Sequence, residues 1–368
     1  MDKIWGFTDY IYTAERYTIG SMNIELKEKL SEGGYAYVFK AVDTNTGQEY
    51  AVKKILCQSS ELLAMAEREI DVMKSLPIHD NIVRYYDSLI INQGNSKTVL
   101  IVMELCTGGT LVNLLEKYNR QLTQAQIFFV TKEICQAILA IHSAGFVHRD
   151  IKIENVLLHN KKFKLCDFGS CSREIYDLAS ASRNQLLTYQ ERFERETTLM
   201  YRPPEMIDLY QRYTIDFKGD SWMLGCVLFT LAFCKHPFQD QAQLAIVNAH
   251  YSFPQNSRFD DKLHGLISWI LDPNPNTRPS ISEIFQGISN YDNIPSFGSV
   301  ANKPQIRSKK RVDRDLTEEE INLEMLRIRN EMEAKEKPKG KKELNIWGAP
   351  AAAPSQNAPN INMGWAKF

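Results

Sequence analysis

The tightest constraint in this 368-residue chain is a pair of polar motifs, His148-Arg149-Asp150-Ile151-Lys152-Ile153-Glu154-Asn155 and Asp167-Phe168-Gly169, set a dozen residues apart. Two short β-rich runs lie between them, Val156-Leu157-Leu158 and Phe163-Lys164-Leu165, and the second would present the aspartate that follows it. Either motif alone is a capped turn with a chance tripeptide. Together they offer two carboxylates, a lysine and an amide, and a fold that uses them has to present both loops.

The surrounding pattern is of two kinds. From Ile24 to Ile55 the chain reads as hairpin-linked antiparallel strands: Ile24-Glu25-Leu26, then Tyr35 to Val42, a turn at Asn45-Thr46-Gly47, then Glu49 to Ile55. Leu62 to Leu76 carries apolar residues at helical spacing and stops at Pro77, and Thr98 to Met103 is a continuous apolar strand. After Gly109 long helical patterns dominate as far as Gly287. This predicts an α+β chain with a small β-rich lobe and a larger helical one, joined near Glu104 to Gly109. The expected boundaries are an extension over 1–23 and a domain over 24–290, divided into 24–104, a hinge at 104–109, and 110–290. A charged tail over 291–344 is expected to hold a helix near 317–333, where Thr317 and Glu320 would make a capping box and Ile321, Met325, Ile328 and Met332 would line one face. Residues 345–368 are rich in Ala, Pro and Asn and nearly uncharged, so disorder is expected there.

Composition narrows the function classes. Lys and Arg number 44 against 45 Asp and Glu, so net charge does not point to a nucleic-acid partner. The seven cysteines, at 57, 106, 135, 166, 171, 226 and 234, form no C-x-x-C pair, which argues against a disulfide framework or structural metal and fits a reducing cytosol. Met1-Asp2-Lys3-Ile4-Trp5 lacks a signal core and a second-position glycine. The most apolar run, Trp222 to Cys234, is shorter than the roughly 18 to 20 residues a bilayer requires and reads as a core helix.

These residue types suit phosphoryl transfer, in which a triphosphate must be held, its charge neutralised by metal, and an attacking hydroxyl aligned. Asp150 would orient the hydroxyl and accept its proton, Lys152 would meet the γ-phosphate, and Asn155 and Asp167 would hold the metal. Upstream, Ser31-Glu32-Gly33-Gly34-Tyr35-Ala36-Tyr37-Val38 is a small-residue turn between strands, where backbone N–H groups can approach phosphate oxygens. Taken alone it is also an ordinary glycine hairpin. Lys53 offers a cation for the α- and β-phosphates, and Glu69 on the next helix can hold that ammonium. Pro203-Pro204-Glu205, the helix opening at Asp220, and Arg278 as the buried partner of Glu205 complete the set. A scaffold without catalysis would require loss of Lys53, Asp150 or Asp167, and all are present. A lipid or small-molecule phosphotransferase would not explain the Pro-Pro-Glu segment, Asp220 and Arg278.

From about Ile24 to Ile288 the chain resembles the eukaryotic protein kinase superfamily, and the resemblance covers every catalytic element. It implies a bilobal kinase fold and use of ATP with Mg2+. It also implies nucleotide contacts at Leu30, Ser31, Gly33, Gly34, Ala36, Val38, Ala51, Lys53, Glu69, Met103, Glu104, Cys106, Asn155, Leu157 and Asp167. Lys152 with the Pro-Pro-Glu segment resembles the serine/threonine class, in which the threonine matched by Thr198 hydrogen-bonds the catalytic aspartate and lysine. Leu30 to Val38, Met103 to Val112, Leu165 to Ser170 and Thr197 to Tyr210 are similar to the Numb-associated kinase family, which includes the adaptor-associated and cyclin-G-associated kinases. That resemblance implies a threonine of clathrin-adaptor medium chains as substrate, a role in endocytosis or vesicle traffic, and a cytoplasmic enzyme recruited to coated membranes. It further implies an extra helix after the activation loop, beginning within Met206 to Arg212.

Two regulatory readings and one docking reading remain open in the sequence. Glu194 either pairs with Arg149 in place of an activating phosphate or is an exposed loop glutamate. Thr197 is either an autophosphorylation site or a threonine exposed on a mobile loop. Trp365-Ala366-Lys367-Phe368 is similar to W-x-x-F peptides that bind adaptor appendage domains, with Trp347 a second candidate, or it is a stray aromatic pair.

Overall fold

Alternation of buried and exposed side chains builds the first part of the chain into a sheet. The computed structural model describes residues 15–34, 36–94, 96–239 and 243–290, and the charged tail, its expected helix, Trp347, Trp365 and Phe368 lie outside them. Strands β1 (Arg16–Ile19), β2 (Met22–Glu32), β3 (Ala36–Asp43), β4 (Glu49–Cys57), β5 (Tyr85–Gln93) and β6 (Ser96–Met103) form one antiparallel sheet in the order β1-β2-β3-β4-β6-β5. The β3–β4 turn is closed by Asp43, whose carboxylate accepts from the Asn45 N–H and the Thr46 hydroxyl, while Gly47 takes φ +75°. One sheet face carries Phe39, Ala41, Tyr50, Val52, Leu100 and Val102, packed with Ile19, Ile24 and Leu26 into a core. The other face carries Val38, Lys53 and Ile101 in one row, and Ala51 and Met103 in the next.

Pairing begins earlier than the strand pattern predicted. Arg16 to Ile19 pairs with Met22 to Glu25 through a tight turn at Gly20, inside the segment read as an extension. Strand β5 has no strand pattern in the sequence, because its residues are mostly half-exposed and give no clean period-two signal.

The described residues fall into two compact units, 15–63 with 85–105, and 64–84 with 106–290. The first holds the sheet. The second holds α1 (Ser60–Ser75) from Ala64 onward and the helices α2 (Leu111–Lys117), α3 (Gln124–Ser143), α4 (Arg183–Glu196), α5 (Pro204–Ile207), α6 (Lys218–Phe233), α7 (Gln243–Val247), α8 (Asp261–Ile270) and α9 (Ile281–Ser289). Capping boxes start α2 at Thr110, α3 at Thr123, α4 at Ser182 and α9 at Ser280. Every residue of α6 from Gly219 to Ala232 is buried, so this helix has no solvent face and forms the core of its unit, packed by α3, α8 and α9.

Two short hairpins complete the unit, β7 (Val156–His159) with β8 (Lys162–Leu165), and β9 (Tyr176–Asp177) with β10 (Thr214–Ile215). The β7–β8 turn has Asn160 and Lys161 at φ +47° and +65°, the geometry that lets a two-residue turn follow the strand twist. Gly108 donates its N–H to the Leu158 carbonyl at 2.9 Å, and a Cβ there would lie 2.6 Å from the same oxygen, so only glycine allows this approach. Among the described residues no helix is long and apolar enough to cross a membrane.

The helix expected after Met206 is corrected. Pro204–Ile207 and the 3-10 turn Leu209–Gln211 are single turns, and the long helix of this region is α4, which precedes Thr198. Its signal was the Ser182/Gln185 capping box with Leu186 and Phe193 seven residues apart, both buried. Abundant charge over Glu191 to Glu196 hid that stripe.

Candidate active site

Loops flanking the β7–β8 hairpin bring the strongest sequence motifs together. Asn155 precedes β7 directly and Asp167 follows β8 by two residues, and the Cys166 N–H donates to the Asn155 carbonyl at 3.0 Å, tying the two loops. Within the first loop the Asp150 carboxylate is held from three sides. Its Oδ2 accepts from Lys152 Nζ at 2.8 Å and Asn155 Nδ2 at 3.0 Å, and its Oδ1 accepts from the Thr198 hydroxyl at 2.7 Å. Lys152 also donates to Thr198 Oγ1 at 2.9 Å. Thr198 thereby takes the position its class resemblance implied. Burial lowers the proton affinity of Lys152, but the adjacent Asp150 carboxylate, by charge and hydrogen bond, carries the net shift upward, so the ammonium is kept.

Two of these residues have strained backbone. Arg149 and Asp167 sit at φ +67° and +62°, a region that costs a side-chain-bearing residue on the order of 1–3 kcal/mol and persists only where the surroundings impose it. Asp220 supplies the restraint at Arg149: its Oδ2 accepts from the His148 N–H and its Oδ1 from the Arg149 N–H, each at 2.8 Å. His142 Nε2 lies 2.8 Å from Asp220 Oδ2. Burial raises the Asp220 pKa, yet His142, His148 and the Arg149 N–H together carry the net shift below the usual carboxylate value. His148 is fully buried against the Phe168 ring, with centroids 5.6 Å apart, and burial lowers its pKa. The sequence marks Asp220 only as the start of a helix. The available signal was a carboxylate at the start of the apolar run Trp222 to Phe233, where burial obliges it to find donors.

The scaffold pair read from the sequence is present. Arg278 and Glu205, 0% and 1% exposed, meet in a two-point ion pair of 2.7 and 2.8 Å, and Arg278 also donates to the Asp272 and Lys218 carbonyls.

Nucleotide-contact candidates occupy ordered positions in their own units. Ser31 is opposite Val38, Val38 opposite Lys53, and Ala51 opposite Met103, so these side chains share the sheet face away from the core. Gly33 and Gly34 are exposed, take no left-handed φ, and have room for a Cβ, with nothing within 4 Å of Gly34. Their own backbone does not demand glycine, and open backbone here leaves room for a ligand. Leu30, Glu104, Cys106 and Leu157 are ordered, with Leu30, Cys106 and Leu157 buried and Leu157 bridged to Thr110, while Ala36 accepts a hydrogen bond from the Gly33 N–H at 2.8 Å. Glu69 on α1 is buried, with a carboxylate oxygen 3.6 Å from where a Cβ on Gly169 would stand. For a metal, Asn155 donates its amide nitrogen to Asp150, which leaves the amide oxygen as a candidate ligand, and Asp167 adds a carboxylate. This is a hard-oxygen donor set of the kind magnesium takes.

Two regulatory readings are corrected. Arg149 is not paired with Glu194: its Nη2 donates to the Glu174 carbonyl, its Nη1 to the Tyr176 hydroxyl at 3.3 Å, and its guanidinium lies over the Tyr176 ring at 4.8 Å. Glu194 sits on the exposed side of α4, next to buried Phe193, and accepts from Gln190 one turn back. Thr197 is 8% exposed. Its hydroxyl donates to the Phe193 carbonyl at 2.6 Å and accepts from Arg202 Nε at 2.7 Å, so it ends α4 from inside and is not displayed on a mobile loop.

Comparison with known proteins agrees with this geometry. Residues 24–287 match the protein kinase domain family model. A probable serine/threonine-protein kinase of Dictyostelium discoideum is 37% identical over 273 residues, covering 72% of this chain and 24% of the relative. A second probable serine/threonine-protein kinase of that organism is 34% identical over 290 residues, 77% of this chain and 36% of the relative. The serine/threonine-protein kinase ppk30 of Schizosaccharomyces pombe is 32% identical over 283 residues, 75% of this chain and 29% of the relative. The match thus spans about a quarter to a third of each relative's length.

Proposed function

The chain belongs to the protein kinase domain family, and from that we propose that it transfers the γ-phosphoryl group of ATP to serine or threonine hydroxyls of protein substrates. The observation that carries this reading is the array around Asp150, in which Thr198, Lys152 and Asn155 fix both carboxylate oxygens. Asp150 orients the substrate hydroxyl and accepts its proton as oxygen bonds to the γ-phosphorus and the bond to ADP breaks. Lys152, kept cationic by Asp150, offsets the charge of the moving phosphoryl group, and Lys53 does so for the α- and β-phosphates. Asn155 and Asp167 are the residues that would hold Mg2+, which when bound neutralises phosphate charge. The test is transfer of labelled γ-phosphate to a mixed serine/threonine peptide pool with Asp150→Asn as control. Transfer falling by at least about a hundredfold in the control is expected, and equal transfer by both proteins refutes the mechanism.

At finer grain the proposed assignment is to the Numb-associated kinases, with a threonine of clathrin-adaptor medium chains as substrate. The support is the loop in which Gly33 is flanked by Ser31 and Ala36 where a phosphate-binding loop commonly carries further glycines, and the run Thr197 to Tyr210. The same reading makes Trp365 and Phe368 a docking peptide for an adaptor appendage domain, and places the enzyme in the cytoplasm with recruitment to coated membranes. Assay against a purified medium chain with its threonines replaced singly tests the substrate. Pull-down with an appendage domain, wild type against Trp365→Ala, tests the docking.

A further inference from the structure

Helices α1 and α4 are far apart in sequence and meet at one carboxylate. Glu196, whose side chain is 5% exposed, accepts from Arg68 Nη2 of α1 at 3.1 Å, from Arg192 Nε one turn back at 3.0 Å, and from Arg195 Nη2 at 3.4 Å. Arg192 turns its Nη1 to the Glu174 carboxylate. Glu174 accepts in turn from the Tyr176 hydroxyl at 2.7 Å, and that hydroxyl accepts from Arg149. An unbroken chain of charge-assisted contacts therefore runs Arg68–Glu196–Arg192–Glu174–Tyr176–Arg149, from α1 to the loop that carries Asp150.

The main chain follows the same line. The Ser170 hydroxyl donates to the Glu196 carbonyl, binding the end of α4 to the residue after Asp167-Phe168-Gly169. Thr197 caps α4, and Thr198 reaches Asp150 and Lys152. On α1, Arg68 is followed by Glu69, the buried carboxylate beside Gly169. One anchored residue, Glu196, thus restrains both the segment that positions Asp150 and the helix that carries Glu69.

A phosphate orders such a segment as a fixed anion opposite arginines, and the arginines in place here are Arg68, Arg192 and Arg149. Those arginines already have carboxylate or tyrosine partners. We propose that Glu196, relayed through Arg192 and Glu174, takes the place of an activation-segment phosphate, so that the segment is ordered and the enzyme active without phosphorylation. Glu196 is then a positioning residue. The proposal rests on the phosphotransfer reading and assigns its regulation to residues other than Glu194 and Thr197.

The test compares wild type, phosphatase-treated wild type, Arg68→Ala, Glu196→Ala, Glu196→Asp and the Arg68→Ala/Glu196→Ala pair in the full chain. Arg68 is 45% exposed, so its truncation leaves the core intact. Phosphatase treatment is expected to change turnover by less than about twofold, and Glu196→Ala to lower kcat by about tenfold or more with little change in KM for ATP. Arg68→Ala should lower kcat by about threefold, the pair should be no worse than Glu196→Ala alone, and Glu196→Asp should recover part of the loss. Backbone amide exchange over 170–201 should speed up in Glu196→Ala. Activity lost on phosphatase treatment, or wild-type turnover in Glu196→Ala, overturns the proposal. A wild type that transfers no phosphate refutes the phosphotransfer reading instead, and exchange then decides the bridge: unchanged protection in Glu196→Ala overturns it.

Discussion

Replacing Asp220 with alanine should unseat the catalytic loop, and the structure supplies the size of the effect. Asp220 is fully buried and accepts two backbone N–H groups, those of His148 and Arg149, with His142 Nε2 as third neighbour. A hydrogen bond to a charged group is worth about 1.5–3 kcal/mol, and each buried N–H left without an acceptor costs about 1–3 kcal/mol. Relaxation of Arg149 from φ +67° returns part of this, on the order of 1–2 kcal/mol. Taking the two bonds alone, the expected net loss is about 2–4 kcal/mol, a large share of the roughly 5–15 kcal/mol available to a domain. Asp220→Asn keeps one acceptor oxygen and should lose about half as much. Urea unfolding followed by tryptophan fluorescence measures stability, and transfer assays under fully folded conditions measure turnover. Because Asp150 is adjacent to Arg149, kcat should fall by about a hundredfold in Asp220→Ala. An unfolding midpoint shifted by less than about 1 kcal/mol, with turnover within twofold of wild type, would refute the view that Asp220 holds the loop.

Glu205→Ala strands the Arg278 charge in a site where both partners are essentially unexposed, and should cost about 3–5 kcal/mol in thermal or chemical unfolding. The pair Glu205→Leu/Arg278→Met should be less damaging than Glu205→Ala, and a double variant as unstable as the single would contradict this account. Thr198→Val removes the hydroxyl that bonds Asp150 and Lys152, and should lower kcat by about tenfold with an unchanged melting temperature; unchanged kcat would show that the hydroxyl does not position Asp150. His236 is buried, its Nδ1 accepts from the Phe238 N–H, and burial lowers its pKa from 6.5 to about 3. The folded state therefore resists a proton that the unfolded chain takes up, so stability falls as pH drops from about 6.5 towards 3, by about 3 kcal/mol at pH 4. A His236→Phe variant should flatten that part of the pH–stability curve, and an identical curve would assign the acid sensitivity elsewhere.

The legible parts of this protein were those whose cause is local. The strands β3 and β4, the apolar run of α6 and the spacing from Asp150 to Asp167 all depend on neighbours a few residues away, and each appears where its pattern stood. The Glu205–Arg278 pair was legible for another reason, since a fully buried charge needs an opposite one and few candidates exist. The half-exposed strand β5 and the charge-rich helix α4 were not legible, because pairing and packing decided their structure over a weak intrinsic pattern.

For the site, the chain alone named Asp150, Lys152, Asn155 and Asp167, whose chemistry follows from residue type and order. Tertiary structure decided how they are held: that Asp220 takes the loop's N–H groups, that Tyr176 and Glu174 rather than Glu194 occupy Arg149, and that Glu196 binds α1 to α4. Among the five glutamate and arginine residues from Glu191 to Glu196, charge pattern cannot say which faces inward. The phase of α4 about buried Leu186 and Phe193 makes that choice, turning Glu194 to solvent and Glu196 to Arg68, and that phase exists only once the helix has packed.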